Sequence, residues 1–320
     1  MTTPFSVSGK TAIVTGAGSG INLAFASLLL KKGSNVILAD LGLRPEAEKL
    51  VASYSDAGTS PRAIFVKTDV TSWPALSNLF KVAIAEFGDV DIVCPGAGVF
   101  EPPWSSFWLP PGSSEAKDAI DAHPGHYALL DINLTHPIRA TQLAISHWLH
   151  PPADSKRAKV STTNPKRVVH VSSVAGEAPP FNAPIYAASK FAINGFVRSL
   201  SQLDDQHGIR VNAIAPGIVR TPLWTDHPEK LVYVDPNDDG WVTPDECAVA
   251  MLRLVEEGGL VGGTVLEVGK DNSRSIQTFN DPGPSFDPKD GLVSRDLVSG
   301  TNQVWKWLDD KSIWGSDKAL

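Results

Sequence analysis

A tyrosine and a lysine four residues apart, Tyr186 and Lys190, are the first candidates for chemistry in this sequence. On a helix, positions i and i+4 share one face, so the phenol and the ammonium would point into the same space. A cation about 4 Å from the phenol, at an effective dielectric constant near 20, stabilises the phenolate by at most roughly 4 kcal/mol, or about three pKa units. The pair therefore predicts a tyrosine that exchanges a proton with an alcohol or a ketone.

A glycine-rich turn near the start of the chain is a second candidate site. Gly16, Gly18 and Gly20 lie between a predicted strand, Thr11–Thr15, and a predicted helix, Ile21–Lys32. Small residues let a backbone approach a pyrophosphate, and the helix N-terminus adds free N–H groups and the positive end of its dipole. The turn indicates a nucleotide-phosphate site, with a tight structural turn as the alternative.

A carboxylate about 20 residues further on indicates which nucleotide this site binds. Asp40 follows the second predicted strand, Asn35–Ala39, where it would accept hydrogen bonds from a ribose. A 2′-phosphate at that place would meet like-charge repulsion, so the sequence favours NAD over NADP. Arg44 is the nearby residue that would soften this preference.

The elements that position these residues alternate between strand and helix. Further predicted strands are Ala63–Lys67, Val90–Cys94, Arg167–Val171, Arg210–Ile214 and Gly263–Val268, and further predicted helices are Trp73–Phe87, His126–Leu149, Tyr186–His207 and Pro244–Glu257. Such alternation means a parallel sheet with helices on both faces. We predict a single Rossmann-type, doubly wound α/β domain over residues 1–280.

Three segments depart from this alternation. Residues 99–125 form a long loop rich in Pro, Trp and Ser, and residues 151–165 form a polar insertion. Residues 281–320 form a C-terminal extension that carries three tryptophans. Because large aromatic rings rarely stay fully solvated, we expect the extension to pack against a partner subunit; a flexible end is the alternative.

Together these motifs resemble the short-chain dehydrogenase/reductase family. The matching residues are Thr15–Ile21, Ser173, Tyr186, Lys190, Pro216 and Gly217, and their order and spacing agree over roughly residues 8–270. Within the family, the chain is most similar to the NAD-dependent 15-hydroxyprostaglandin dehydrogenase group and its fungal relatives. The resemblance implies a homodimer or homotetramer, formed through the helices at 126–149 and 186–207.

The resemblance also implies a role for each matching residue. Tyr186 would be the general acid/base, Lys190 would hold the nicotinamide ribose, and Ser173, ahead of its neighbour Ser172, would hydrogen-bond the substrate oxygen. Asn133 would tie a proton-relay water to the lysine. The implied NAD contacts are Gly16, Gly18, Ser19, Gly20, Ile21, Asp40, Leu41, Asp69, Val70, Gly96, Ala97, Tyr186, Lys190, Pro216, Gly217, Val219 and Thr221.

Each of three of these residues also has a structural role as its alternative: a loop serine at Ser173, an asparagine at Asn133 that bonds a neighbouring strand, and a cap at Asp69.

The sequence also departs from the family pattern. Asn22 stands in place of the family's third glycine, which predicts a small adjustment of the first helix. Pro95-Gly96 stands in place of two asparagines, so the bracing that their amides would supply must come from elsewhere.

The loops at 99–125 and 218–242 are expected to border the substrate pocket. Trp104, Phe181 and Trp224 make this border aromatic, which predicts a bulky apolar alcohol or ketone; anchoring of the loops is the alternative for each ring. Two other functions stay open. One is a cyclase or isomerase that retains NAD, and the other is a non-catalytic nucleotide-binding scaffold.

Residues 235–246 match the twelve-residue calcium-loop pattern, with oxygen-bearing side chains at the first, third, fifth and twelfth places. Thr243 and Glu246, with Pro244 between them, also form a capping box, which explains Glu246 without a metal. Because the pattern also requires a preceding helix, and residues 231–234 predict a poor one, we predict no metal site.

Composition excludes several classes of protein. The net charge of −7 and the lack of a basic run argue against general nucleic-acid binding. The two cysteines, Cys94 and Cys247, offer neither a disulfide framework nor a metal cluster, as expected in a reducing compartment. The sequence shows no signal-peptide pattern and no apolar run of the roughly 20 residues that a membrane span needs. We therefore expect a cytoplasmic protein.

Overall fold

A computed structural model of the chain describes residues 5–152, 155, 157–226, 241–277 and 297–311. Its strands are β1 (Thr11–Thr15), β2 (Asn35–Asp40), β3 (Ala63–Lys67), β4 (Ile92–Pro95), β5 (Lys166–Val171), β6 (Ile209–Pro216), β7 (Val265–Gly269) and β8 (Asn272–Ser275). They form one sheet in the order β3-β2-β1-β4-β5-β6-β7-β8. Strands β1 to β7 pair in parallel and β8 pairs antiparallel to β7. The strand order reverses between β1 and β4, where such folds bind ligands.

Ten α-helices accompany the sheet in the described residues. They are α1 (Gly20–Lys31), α2 (Pro45–Ser53), α3 (Trp73–Phe87), α4 (Ala128–Leu130), α5 (His136–Leu149), α6 (Pro184–Ser199), α7 (Gln202–His207), α8 (Pro222–Thr225), α9 (Pro244–Glu256) and α10 (Leu297–Asp309). A π-helical turn at Asp131–Thr135 joins α4 to α5. With helices on both faces of a mostly parallel sheet, the predicted doubly wound fold is confirmed.

The two faces of the sheet carry separate apolar cores, which explains why the central strands are apolar along their whole length. Along β1, Val14 packs with Phe25 of α1 and Met251 of α9. Its neighbour Ile13 points to the opposite face and packs with Phe80 of α3 and Trp148 of α5. The sheet therefore lies between two helix layers, and only its strand ends remain available for a site.

The predicted extent of one helix was wrong, and two elements were missed. The long helix expected at Tyr186–His207 divides into α6 and α7, because Leu200 and Ser201 donate to carbonyls three residues back and interrupt the helical ladder. Helix α2 and strand β8 were not predicted. The short edge strand β8 carries the polar sequence Asn-Ser-Arg-Ser, so it has no apolar alternation to reveal it.

Candidate active site

A cleft of about 660 Å³ opens at the carboxyl ends of the parallel strands. Residues at or just beyond the ends of β1 to β6 line it. Of the residues predicted from the sequence, it brings together Gly16, Ser19, Gly20, Ile21, Asp40, Leu41, Asp69, Val70, Gly96, Ala97, Ser173, Tyr186, Lys190, Pro216, Gly217, Val219, Thr221 and Trp224. Residues far apart in the chain thus share one cavity at the point where the strand order reverses.

The glycine turn closes one end of the cleft. A Cβ on Gly18 would lie 2.3 Å from the Gly42 carbonyl oxygen, and a Cβ on Gly16, whose φ is +70°, would lie 2.7 Å from Ala97 Cα. Gly18 therefore supports the turn from behind instead of lining the cleft. Ser19 precedes α1 without a side-chain capping bond, so the first N–H groups of the helix face the cavity uncapped by it. This cradle fits a pyrophosphate.

Asp40 is fixed at the edge of the cleft by the backbone. Its Oδ2 accepts a hydrogen bond from Gly18 N at 2.8 Å, and its Oδ1 accepts one from Leu41 N at 2.7 Å. The carboxylate is thereby held where a ribose would meet it. Arg44, which the sequence suggested as a phosphate partner, instead pairs with Asp226, just beyond α8.

Asp69 and Val70 lie at the end of the cleft beyond β3. The Asp69 carboxylate accepts hydrogen bonds from the backbone N–H of Thr71 at 2.9 Å and from its hydroxyl at 2.7 Å. Asp69 therefore stabilises its own turn, as the structural alternative predicted. It also lines the cleft beside the buried Val70, so both roles are compatible at this position.

Tyr186, Ser173 and Lys190 meet in the middle of the cleft. Helix α6 presents Tyr186 and Lys190 on one face, with the lysine Nζ 5.4 Å from the centre of the tyrosine ring. The Ser173 hydroxyl lies close enough to the phenol to lower its pKa. Its neighbour Ser172 instead donates to the Lys190 carbonyl at 3.3 Å, a structural role. The geometry thus places Ser173, and not Ser172, beside the tyrosine.

Burial dominates the titration of this group. It raises the pKa of the Tyr186 phenol, and the Ser173 hydroxyl opposes the rise. Burial also lowers the pKa of Lys190 to about 8. The lysine Nζ donates to the Val171 carbonyl at 2.9 Å, and no lowering by Lys190 offsets the effect of burial on the tyrosine. The expected net lowering of the tyrosine pKa is therefore not found in the protein alone.

Asn133 lies behind the cleft, in the π-helical turn. Its amide pairs with the backbone of Val99, accepting from the N–H at 2.9 Å and donating to the carbonyl at 2.8 Å. Gly98 separates it from the lysine, since a Cβ there would lie 3.3 Å from Asn133 Oδ1 and 3.8 Å from Lys190 Nζ. Asn133 therefore holds the loop after β4, and its part in a water relay to Lys190 stays a prediction.

The two departures from the family pattern meet in the structure. The Asn22 side chain is buried and lies over Gly96, so that a Cβ on Gly96 would be 2.2 Å from Asn22 Oδ1. The amide also approaches Gly16, whose Cβ would lie 2.9 Å from Nδ2. An asparagine on α1 thus packs where an asparagine side chain at 96 would begin. The support that the two absent asparagines would give the loop after β4 therefore comes from Asn22 of α1.

A second brace was not foreseen from the sequence. Thr15 Oγ1 accepts a hydrogen bond from Ala97 N at 3.2 Å and lies 3.1 Å from His136 Nε2. His136 is fully buried, and burial lowers its pKa to about 4, so the imidazole is neutral at physiological pH. These contacts connect β1, the loop after β4 and α5. No local sequence pattern announces them, because the three residues are far apart in the chain.

The aromatic residues predicted at the substrate pocket separate into two groups. Trp224 lines the cleft and packs 5.5 Å from Phe100, which in turn packs edge-on 4.9 Å from the Tyr186 ring. Trp104 and Phe181 are not among the described residues that line the cleft. Phe181 is 83% exposed and packs on Trp108. Phe100 lies in the 99–125 loop that was expected to border the pocket, but it was not among the aromatic residues predicted there.

The capping-box interpretation of Glu246 is confirmed at the start of α9. Glu246 Oε2 accepts from Thr243 N at 2.6 Å, and Thr243 Oγ1 accepts from Glu246 N. Residues 235–240 of the calcium-loop pattern lie outside the described residues.

In the part of the chain that is described, no helix has the length and apolarity to cross a bilayer.

Comparison with known proteins identifies the family. Residues 10–231 match the family model described as short chain dehydrogenase. The chain is 28% identical over 294 residues to the NAD(+) 15-hydroxyprostaglandin dehydrogenase of Rattus norvegicus, covering 88% of this chain and 98% of that protein. It is 33% identical over 225 residues to a hydroxynaphthalene reductase-like protein of Metarhizium guizhouense, covering 69% and 73%.

The fold is also similar to those of solved structures. A 3-ketoacyl-(acyl-carrier-protein) reductase from Brucella melitensis, complexed with NADH, superimposes with a TM-score of 0.63 at 23% identity, over 82% of this chain and 98% of that one. Because the family model covers more than half of the sequence, the chain belongs to the short-chain dehydrogenase family. It is an oxidoreductase, and the family and fold predicted from the sequence are confirmed.

Proposed function

We propose that this chain is an NAD-dependent dehydrogenase that interconverts a secondary alcohol and a ketone. The observation that carries the proposal is the meeting of Tyr186, Ser173 and Lys190 in the cleft that also contains the glycine turn and Asp40. The name of the rat relative supports NAD as the cofactor, and so does the NADH in the Brucella structure. The negative, backbone-fixed Asp40 favours NAD over NADP.

We assign each part of NAD to a part of the cleft. The backbone of residues 16–21 would hold the pyrophosphate, Asp40 the adenosine ribose, and Asp69 with Val70 the adenine. Lys190 would hold the nicotinamide ribose, beside the segment 216–221. When bound, NAD⁺ supplies an acceptor for the hydride that leaves the carbinol carbon.

The protein's own part of the reaction is proton transfer and orientation. The Ser173 hydroxyl hydrogen-bonds the substrate oxygen, which places the alcohol proton against the Tyr186 phenolate. Tyr186 accepts that proton as the carbon–hydrogen bond breaks, and the electron pair of the O–H bond forms the carbonyl π bond. The ammonium of Lys190 stabilises the phenolate. In ketone reduction the same phenol gives its proton back.

The substrate side of the cleft favours a bulky apolar molecule. Its described lining includes the apolar or aromatic side chains Val99, Phe100, Ala178, Pro180, Ile218, Leu223 and Trp224. Asn182 adds a polar amide at the same end. We therefore propose a hydrophobic secondary alcohol or its ketone as the substrate class. The cytoplasmic location and the homodimer or homotetramer stay predictions from the sequence.

Tyr186→Phe is the deciding variant. It keeps the ring and removes the proton-transferring hydroxyl, so alcohol-dependent NADH formation should fall at least about a hundredfold while NAD binding persists. NADH absorbance across a panel of hydrophobic secondary alcohols, with NADP⁺ in parallel, measures the effect. Tyr54→Phe, at the end of α2 and outside the cleft lining, is the matched control and should retain full activity. Wild-type turnover by Tyr186→Phe would refute the mechanism.

A further inference from the structure

The helix that carries Tyr186 has no cap of its own. Its N-cap residue is Ala183, which makes no side-chain capping bond, and its first residue is Pro184, which has no N–H. The first intrahelical bond runs from Ala187 N to the Ala183 carbonyl. The N–H of Tyr186 is consequently one of the helix-terminal donors that must find a partner elsewhere.

That partner is a carboxylate from the inserted loop. Glu101, 85 residues earlier in the chain, accepts the Tyr186 N–H on Oε2 at 2.9 Å. Its other oxygen, Oε1, accepts from Phe107 N at 2.8 Å and from the Ser106 hydroxyl at 3.1 Å. The residue is 8% exposed. A buried carboxylate with three donors is a fixed structural group, and its charge suits the positive end of α6.

The residue before Glu101 contacts the same tyrosine from the cleft side. The Phe100 ring packs edge-on against the Tyr186 ring at 4.9 Å between centroids. Two consecutive residues of the loop therefore hold Tyr186, one at its backbone and one at its ring. We propose that Glu101 is a positioning residue for Tyr186, through which the 99–125 loop sets the place of the phenol in the cleft. This inference rests on the proposed role of Tyr186 as acid/base.

A glutamine cannot replace this carboxylate fully. Both carboxylate oxygens of Glu101 accept from backbone N–H groups, whereas the amide of a glutamine offers one oxygen and one donor NH₂ group. In Glu101→Gln one of the two backbone donors, on Phe107 or on Tyr186, must lose its acceptor. Since small displacements of a reacting group cost up to about 10²-fold in rate, kcat should fall roughly 10- to 100-fold.

The same loop supplies a matched control. Asp118 is also buried; it accepts from Ala128 N at 2.9 Å and from the Ser105 hydroxyl at 2.6 Å. It therefore caps α4 from the same loop without contacting Tyr186. Asp118→Asn should lower the melting temperature about as much as Glu101→Gln does, yet leave kcat within about twofold of wild type. A milder second variant, Ser106→Ala, removes one donor to Glu101 and should lower kcat in the same direction.

The experiment measures kcat with the best alcohol from the panel, the NAD dissociation constant by tryptophan fluorescence, and the melting temperature of each variant. We expect Glu101→Gln and Ser106→Ala to lower kcat with NAD affinity unchanged. We expect Asp118→Asn to leave kcat near the wild-type value. Equal kcat in all three variants at matched stability would overturn the inference. If Tyr186→Phe is inactive while Glu101→Gln matches wild type, only this inference fails; if Tyr186→Phe is active, the proposed function fails first.

Discussion

At the scale of single residues, the surroundings of Tyr186 shift the pKa of its phenol in opposite directions. Burial raises the pKa of the Tyr186 phenol, and the Ser173 hydroxyl lowers it. In the proposed mechanism the ammonium of Lys190 favours the phenolate, although burial lowers the pKa of that lysine to about 8. The base is therefore mostly protonated at neutral pH, and the reaction in the alcohol-oxidising direction depends on the small phenolate fraction.

The pH dependence of the two directions follows from this. The phenolate accepts the alcohol proton, so kcat/KM for alcohol oxidation should rise nearly tenfold per unit from about pH 6 to about pH 8. Ketone reduction uses the protonated phenol and should stay level over the same range. Above about pH 8 the loss of charge on Lys190 should flatten the oxidation curve. NADH absorbance in both directions measures this, and an oxidation rate that falls as pH rises would contradict Tyr186 as the base.

At the scale of elements, α1 and the loop after β4 pack against each other with complementary side chains at the floor of the cleft. The Asn22 amide of α1 occupies the space next to Gly96, and Thr15 of β1 bonds Ala97. A larger residue on the helix is tolerated because a smaller one stands opposite on the loop. The two departures from the family pattern are thus one compensated change in packing.

A double-mutant cycle tests this compensation. Gly96→Asn alone should lower both the melting temperature and NAD affinity, because its Cβ would lie 2.2 Å from Asn22 Oδ1. Asn22→Gly alone removes a buried amide and leaves a cavity. The combined variant should recover much of both losses, with a coupling free energy of about 1 kcal/mol or more. Additive losses in the combined variant would show that the two sites are independent.

The sequence predicts the parts of this site that lie close together in the chain. The glycine turn, Asp40 and the pair on α6 each have a local pattern, and all of them except the supporting Gly18 line one cleft. Contacts made across the fold, such as Glu101 with the Tyr186 N–H, have no such pattern. Likewise the aromatic content of a loop does not reveal that Phe100 reaches the cleft while Phe181 faces outward.

At the scale of the whole molecule, part of the C-terminal extension packs on the chain itself. Leu308 of α10 is 4% exposed and joins the core on the α3 and α5 side of the sheet. His150, at the end of α5, lies 2.8 Å from the Leu308 carbonyl oxygen through Nε2, and Trp305 packs near His207 of α7. The packing expected for a partner subunit is therefore made at least partly within the chain. The division of the chain near residue 280 stays a prediction.

A pair of alanine substitutions measures how much α10 contributes to stability. Leu308→Ala removes a buried side chain and should lower the free energy of unfolding by about 2–3 kcal/mol. Trp307→Ala, at a residue of the same helix that is 50% exposed, should change the free energy of unfolding by no more than about 0.5 kcal/mol. Urea unfolding of both variants gives the two values. If the smaller, buried leucine matters more than the larger, exposed tryptophan, α10 belongs to the folded unit in solution; equal effects would mean that it does not pack there.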